Sequence, residues 1–333
     1  MDILVPTAEG LYCPAGDFHI DPWRPVARAV VTHGHADHAR YGAGAYLAHE
    51  QTLPILRKRL GDHPYQALAW GECLTLGGTR ISLHPAGHIL GSSQVRIECD
   101  GEVWVVTGDY KLEADSTCQP FEPIACDTLV TESTFAMPVY RWADPLTVYA
   151  AINEWWAGHA AKGRNCVMFA YALGKAQRVL HHVDASIGPI ICHGAVASLN
   201  EIYRAAGVAL PSTRMVSELG SEKPRGALVI APPSAAGSAW MRRFGDYSDA
   251  FASGWMQIRG NRRRRGVDRG FVLSDHADWP GLLRAIAATG AREVIPMHGF
   301  TATLTRYLRQ IGIAARELGG EFHRDAVSEP DPE

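Results

Sequence analysis

The chain reads as an α/β protein, a sandwich of sheets and helices interrupted by a second, inserted α/β domain. Three observations predict this. The first 135 or so residues break into short apolar strands separated by Gly, Pro and polar turns, and many of these strands alternate apolar with polar side chains. From about residue 140, strand and helix alternate at the spacing of a parallel sheet with crossover helices. Beyond residue 270 strands return, each followed by an amphipathic helix. The length of 333 residues suits this plan. The expected limits are 1–137 for the first part of the sandwich, 138–270 for the insertion and 271–333 for the sandwich's C-terminal part.

Each element has a local cause. Strands are expected at 18–20, 27–33, 45–49, 79–85, 93–99, 102–107 and 127–131, where apolar positions recur with period two, as in Ile81-Ser82-Leu83-His84. Asp144-Pro145 is a helix start, with Asp as N-cap and Pro at the first helical position, and that helix should run to Gly163. Strand-like 166–170, 189–192 and 227–231 then alternate with helix-like 173–183 and 197–206. Strands at 270–274 and 293–297 precede helices at 279–289 and 301–311, supported by their Ala/Leu spacing. His181-His182 and Trp155-Trp156 lie in helix-like stretches without acidic partners at ligand spacing, and are assigned to surface and packing.

Composition narrows the class. Charged residues make up 20% and hydrophobic residues 47%, ordinary for a globular chain. Thirty-two basic against 35 acidic residues neither demands nor excludes a polyanionic partner. The seven Cys are scattered and contain no C-x-x-C pair, which disfavours a disulfide scaffold or zinc knuckle and suits reduced thiols in the cytoplasm. No apolar run approaches 18 residues and the first ten residues lack a secretory pattern, so no membrane partner is expected.

The strongest chemical signal is Thr32-His33-Gly34-His35-Ala36-Asp37-His38, an H-x-H-x-D-H cluster directly after an apolar strand. Imidazole and carboxylate side chains suit Zn²⁺ or another borderline cation. Further metal-competent residues follow later strands, each beside a Gly that permits a sharp turn: His88 in Pro85-Ala86-Gly87-His88, Asp109 in Thr107-Gly108-Asp109, and His298 in Met297-His298-Gly299.

These residues, in this order, resemble the metallo-β-lactamase superfamily. The resemblance implies its αββα sandwich and two divalent metal ions. His33, His35 and His88 would hold one, and Asp37, His38 and His298 the other, with Asp109 bridging. Zn²⁺ suits the ligand set best, with Mn²⁺ as the alternative activating ion. Asp21, in His19-Ile20-Asp21-Pro22, matches the superfamily's early Asp and would orient the cluster rather than ligate. Metal coordination makes hydroxide available at neutral pH, so hydrolysis is the expected reaction and Asp37 belongs to its catalytic core.

Three further segments point to a substrate class. Glu132 ends an apolar strand, His276 ends another in Phe271-Val272-Leu273-Ser274-Asp275-His276, and His298 is the third. Together with the 138–270 insertion they resemble the β-CASP nucleases. In that reading His276 is the general acid for the departing sugar oxygen and Glu132 holds its orientation and charge state. Phe169–Gln177, containing Lys175, resembles the branch's strand-to-helix junction, where a helix N-terminus can face phosphate. In Gly16–Pro25, in Thr32–His38 and in Gly254-Trp255-Met256 with the Arg run into Ser274–Trp279, and so over nearly its whole length, the chain is similar to bacterial DNA ligase-associated exonucleases. This implies a cytoplasmic DNA-repair exonuclease in functional association with an ATP-dependent DNA ligase and a helicase; digestion from 5′ to 3′ is what relatives in the wider branch suggest.

The run Arg259, Arg262, Arg263, Arg264 and Arg265 is expected as a solvated loop or a clamp on the substrate backbone. Trp255 offers either a stacking face for an unpaired base or a core side chain. Ser234 and Ser238 could recognise a terminal phosphate or cap a turn. The rival activities are the same chemistry on RNA and hydrolysis of a small thioester or lactone.

Overall fold

A computed structural model describes residues 2–318, and the remainder of the expected C-terminal segment, 319–333, lies outside the described residues. The chain divides into two compact units, one of residues up to Arg141 together with those from His276, the other Trp142–Asp275. The sequence placed these limits at 138 and 270.

The first unit holds two sheets. One runs, in spatial order, Val5–Pro6, Leu11–Cys13, Phe18–Ile20, Arg28–Val30, Ala45–His49 and Tyr65–Leu68. The other runs Ala314–Ala315, Glu293–Gly299, Thr128–Ser133, Glu102–Val106, Ser93–Cys99, Thr79–Pro85 and Cys73–Leu76. Between them lies a core of Leu11, Phe18, Ile20, Val30 and Leu47 against Ile81, Leu83, Val95, Ile97, Trp104, Val106, Val130, Ile295 and Met297.

Period-two alternation is what builds four layers here. Val105, Leu129 and Val294 are one position out of step with Trp104, Val130 and Ile295, so they face the opposite side of the sheet. There they meet Trp279, Leu282 and Ile286 of helix Trp279–Thr289 and Leu304 and Leu308 of helix Thr301–Gln310. The outer face of the other sheet buries Leu53 and Leu56 of helix Leu53–Leu60 against Ala29, Val31, Tyr46 and Ala48. This helix–sheet–sheet–helix order is the expected αββα sandwich.

The second unit is a six-stranded, all-parallel sheet in the order Arg214–Met215, Ile190–Cys192, Leu228–Ala231, Asn165–Phe169, Tyr247–Ala252 and Arg269–Phe271. Its central strands are near-continuous apolar runs, as burial on both faces requires. Asp144 caps the N-terminus of helix Pro145–Ala160 by accepting from Leu146 N. Trp156 is fully buried with its indole N–H on Gly226 O, and Trp155 donates to Ser248 Oγ, so both are packing residues. The Arg run is not a loop: Arg259–Arg265 is a short exposed helix.

Candidate metal centre

The metal-competent residues sit where strands end. Asp21 follows Phe18–Ile20 and the His33–His38 loop follows Arg28–Val30, two parallel neighbours joined through Asp21 N to Val30 O. In the other sheet, three adjacent parallel strands end in register, with Val106 opposite Val130 and Glu132 opposite Met297. That register brings Asp109, Glu132 and His298 to one edge. The pairing shifts between Glu132 and Ser133, a local irregularity at the site, and Ser133 Oγ donates to the carbonyls of Met297 and His298.

The donor atoms converge. His35 Nδ1 lies 3.2 Å from His33 Nε2 and 3.1 Å from His88 Nε2. Asp109 Oδ2 lies 3.5 Å from His33 Nε2, 3.7 Å from His88 Nε2 and 3.4 Å from His38 Nε2. Asp37 Oδ2 is 3.8 Å from His38 Nε2, and the His298 ring centroid is 5.3 Å from that of His38. A tetrahedral Zn²⁺ with bonds of 2.0–2.1 Å has ligand–ligand edges of about 3.3 Å. Among the four atoms of His33, His35, His88 and Asp109, the separations of 3.1, 3.2, 3.5 and 3.7 Å lie near those edges and all fall within 4.8 Å, so this group could hold a metal ion. Asp109 Oδ2 also lies within 3.4 Å of His38 Nε2, so one carboxylate oxygen stands close to donors of both expected ligand groups.

A fixed scaffold orients the rings. Asp21 Oδ1 accepts from Thr32 N at 2.8 Å, and Oδ2 accepts from Thr32 Oγ1 at 2.6 Å and His38 Nδ1 at 2.7 Å. Because Thr32 Oγ1 donates to Asp21, it accepts from His33 Nδ1 at 3.0 Å, which turns His33 Nε2 toward the cluster. Asp21 and His298 both hold left-handed backbone, at φ 43° and 50°, a strained conformation for such residues. Neither Thr32 nor Ser133 carried a role in the sequence reading. Their only signal is a hydroxyl beside a metal-competent motif.

The electrostatics set the charge of each donor, and His38 would have to give up its proton to ligate. Burial pushes His33 well below the ordinary imidazole range, leaving it neutral. Burial works the same way on His38, but the carboxylates of Asp109, Asp37 and Asp21 overcome it and hold that ring well above the range. Burial opposes ionisation of Asp109 and Asp37, yet the neighbouring imidazoles, His38 foremost, hold both below the usual carboxylate range. Ionised carboxylates are the form that binds cations.

Beside the cluster stands a second group, Asp109, Glu132 and His276. Glu132 is buried, accepts Tyr110 N at 2.7 Å and engages His276 Nδ1 at 3.0 Å through Oε2. The His276 side chain is 22% exposed and its ring centroid lies 4.6 Å from that of His88.

The expected substrate contacts fare differently. Lys175 is buried and ion-paired to Asp275 at 2.8 Å, with Arg178 on the other oxygen at 3.0 Å. Its ammonium is therefore committed to the interior of the second unit rather than offered to a phosphate. Trp255 is half-buried against the apolar core of that unit. Ser234 is exposed in a short 3₁₀ turn, whereas Ser238 Oγ makes neither a cap nor any other hydrogen bond. Arg259 and Arg262–Arg265 are exposed, with the Arg265 guanidinium 4.5 Å from the Phe251 ring centroid.

No protein-family model matches the sequence. A probable DNA ligase from Opitutus terrae is 32% identical over 316 residues, 94% of this chain and 31% of that protein. The endoribonuclease ysh1 of Aspergillus fumigatus is 32% identical over 139 residues, 41% of this chain and 15% of its own length. The cleavage and polyadenylation specificity factor 73 of Drosophila melanogaster is 29% identical over 110 residues, 32% of this chain and 16% of its own. The chain thus spans a third or less of these curated relatives. A crystal structure of a protein of unknown function from Enterococcus faecalis V583 shares the fold, with a TM-score of 0.59 at 13% identity over 92% of this chain and 80% of that one. Fold and site together define a metallo-β-lactamase sandwich, a class that implies divalent metal ions. The ribonuclease and cleavage-factor relatives support a likeness to the β-CASP branch of the metallo-β-lactamase superfamily.

Proposed function

We propose that this chain is a metal-dependent phosphodiesterase acting on nucleic-acid strands, specifically a DNA exonuclease of repair that digests 5′ to 3′. The observation that carries the reading is the Glu132–His276 pair at the edge of the donor cluster, 3.0 Å apart. A cleaved phosphodiester leaves an alkoxide that must be protonated, a step worth 10²–10⁴ in rate. Glu132 engages Nδ1, so the other ring nitrogen, Nε2, is the one that would donate. The carboxylate also stabilises the imidazolium before transfer. Divalent ions held by His33, His35, Asp37, His38, His88, Asp109 and His298 would supply hydroxide at neutral pH and neutralise charge on the phosphoryl oxygens.

The likeness to a probable DNA ligase along 94% of this chain supports DNA as the substrate and a functional link to a ligase. A helicase partner rests on the family resemblance alone. Free thiols at Cys13, Cys73, Cys99, Cys126, Cys166 and Cys192 suit a reducing compartment, the cytoplasm. Among the described residues no helix is long and apolar enough to cross a membrane. The second reading, an RNA-processing enzyme, is favoured by the ribonuclease named among the relatives.

The test is digestion of end-labelled DNA and RNA, single- and double-stranded, with and without a 5′-phosphate, across Zn²⁺, Mn²⁺ and Mg²⁺. Release of mononucleotides from the 5′ end of DNA is expected. Internal cuts in RNA with intact DNA would favour the second reading, and no cleavage of either would overturn the proposal.

A further inference from the structure

We propose that Tyr41 and His63 form a stacking platform for an unpaired nucleobase of the substrate strand, with Arg40, Arg57, Lys58 and Arg59 holding the flanking phosphates. The inference rests on the nucleic-acid reading above and adds a subsite within the first unit.

Tyr41 is 72% exposed, three residues beyond His38. A single exposed aromatic is ordinary on a protein surface. This one is displayed on a clamped backbone. Ala43 N donates to the buried Tyr46 hydroxyl at 3.0 Å, that hydroxyl donates to Arg40 O at 2.9 Å, and Arg40 Nε donates to Asp37 O at 3.3 Å. The loop is therefore tied both to the core and to the metal-competent segment, so ordering Tyr41 for a ligand costs little further entropy.

The ring has an aromatic wall beside it. His63 meets Tyr41 edge-on, with centroids 5.1 Å apart at 69°, and is backed by Tyr46 at 5.4 Å and Tyr65 at 6.2 Å. The Arg57 guanidinium lies 5.3 Å from the Tyr65 ring centroid. Helix Leu53–Leu60 ends in Arg57, Lys58 and Arg59, and Arg59 Nη1 donates to Gly34 O within the His33–His38 loop. Basic residues in a last turn favour the helix dipole on their own account. Here Arg57 also borders the aromatic wall and Arg59 reaches the metal-competent loop, with exposed Lys58 between them in the same turn, the combination of charge and aromatic face used to bind single strands without reading sequence. Asp62, just past the helix, is the acidic residue that partly offsets them.

The test is fluorescence anisotropy with labelled, phosphorothioate-protected single strands of DNA and of RNA. The variants are compared on whichever strand the parent binds more tightly. Tyr41→Ala should weaken binding about tenfold with an unchanged melting temperature, Tyr41→Trp should retain the parent's affinity, and Tyr41→Leu should not. An abasic residue moved along the strand should weaken parent binding at one position and leave Tyr41→Ala indifferent there. Equal affinity for parent and Tyr41→Ala, or Leu serving as well as Trp, would overturn the platform while leaving the proposed function standing. A parent that neither binds nor cleaves either strand would remove both.

Discussion

Asp21 is expected to control metal affinity without touching the cation. Its carboxylate accepts three hydrogen bonds, from Thr32 N, Thr32 Oγ1 and His38 Nδ1, at 2.6–2.8 Å. Asp21→Asn is the informative change, because Asn tolerates the left-handed backbone at φ 43° and keeps one oxygen for Thr32 N. Its amide then faces two donors instead of accepting from them. Two charge-assisted bonds are lost, each worth about 1.5–3 kcal/mol, at a side chain only 11% exposed. Allowing for some rearrangement of His38, the variant should lose roughly 2–4 kcal/mol of stability. With the His38 and His33 rings no longer fixed, affinity for Zn²⁺ should fall about 10–100-fold. Competition against a chromophoric chelator measures the affinity, and thermal unfolding with and without Zn²⁺ measures the stability. An Asn variant that binds Zn²⁺ as tightly as the parent would refute the view that Asp21 orients these rings.

Replacing His276 with Ala should lower turnover on labelled DNA by about 10²–10⁴ while strand binding stays close to the parent's. Comparable losses in binding and turnover would end its role as the acid. Changing Arg259 and Arg262–Arg265 to Gln should weaken binding and flatten its dependence on salt by about 0.7–0.9 per lost phosphate contact, whereas an unaltered slope in a salt titration would discard the clamp. Burial drives His49 down to about 4, stacked on Trp70 with centroids 3.4 Å apart. Because the folded ring resists protonation, the unfolded chain binds more protons between pH 6.5 and 4. Stability is thus full above pH 6.5 and falls as pH drops, by up to ~3 kcal/mol from this residue. Unfolding of the parent and His49→Phe across that range should show the variant losing less stability in acid, and parallel curves would contradict the assignment.

What the sequence disclosed depended on whether the physics is local. Thr79–Pro85, Ser93–Cys99 and Trp279–Thr289 have the limits their patterns predict, because the apolar positions that mark them, among them Ile81, Leu83, Val95, Ile97, Leu282 and Ile286, are the ones the core buries. Val5–Pro6 and Leu11–Cys13 are too short to show a period, and Tyr247–Ala252 hides behind Asp249, which accepts Asp268 N at its outer face. The Arg run carries no apolar period, so nothing but the good helix propensity of Arg hinted at its helix. Metal-competent residues were legible because their chemistry is written in residue type and in the Gly beside each. The burial of Lys175 was not, since its partner Asp275 is distant along the chain and only the folded sheet brings them together. Likewise, no motif reveals that His35 presents Nδ1 where His33 and His88 present Nε2.

The central claim is that side chains far apart in sequence meet around divalent cations, with the Asp109 carboxylate shared between them. The direct measurement is elemental analysis of the purified chain alongside Asp109→Ala. About two divalent ions per parent chain are expected, with sharply reduced content in the variant, which should nevertheless remain folded. A parent that retains no divalent ion when equilibrated with Zn²⁺ or Mn²⁺, or a variant that retains the full complement, would contradict the account.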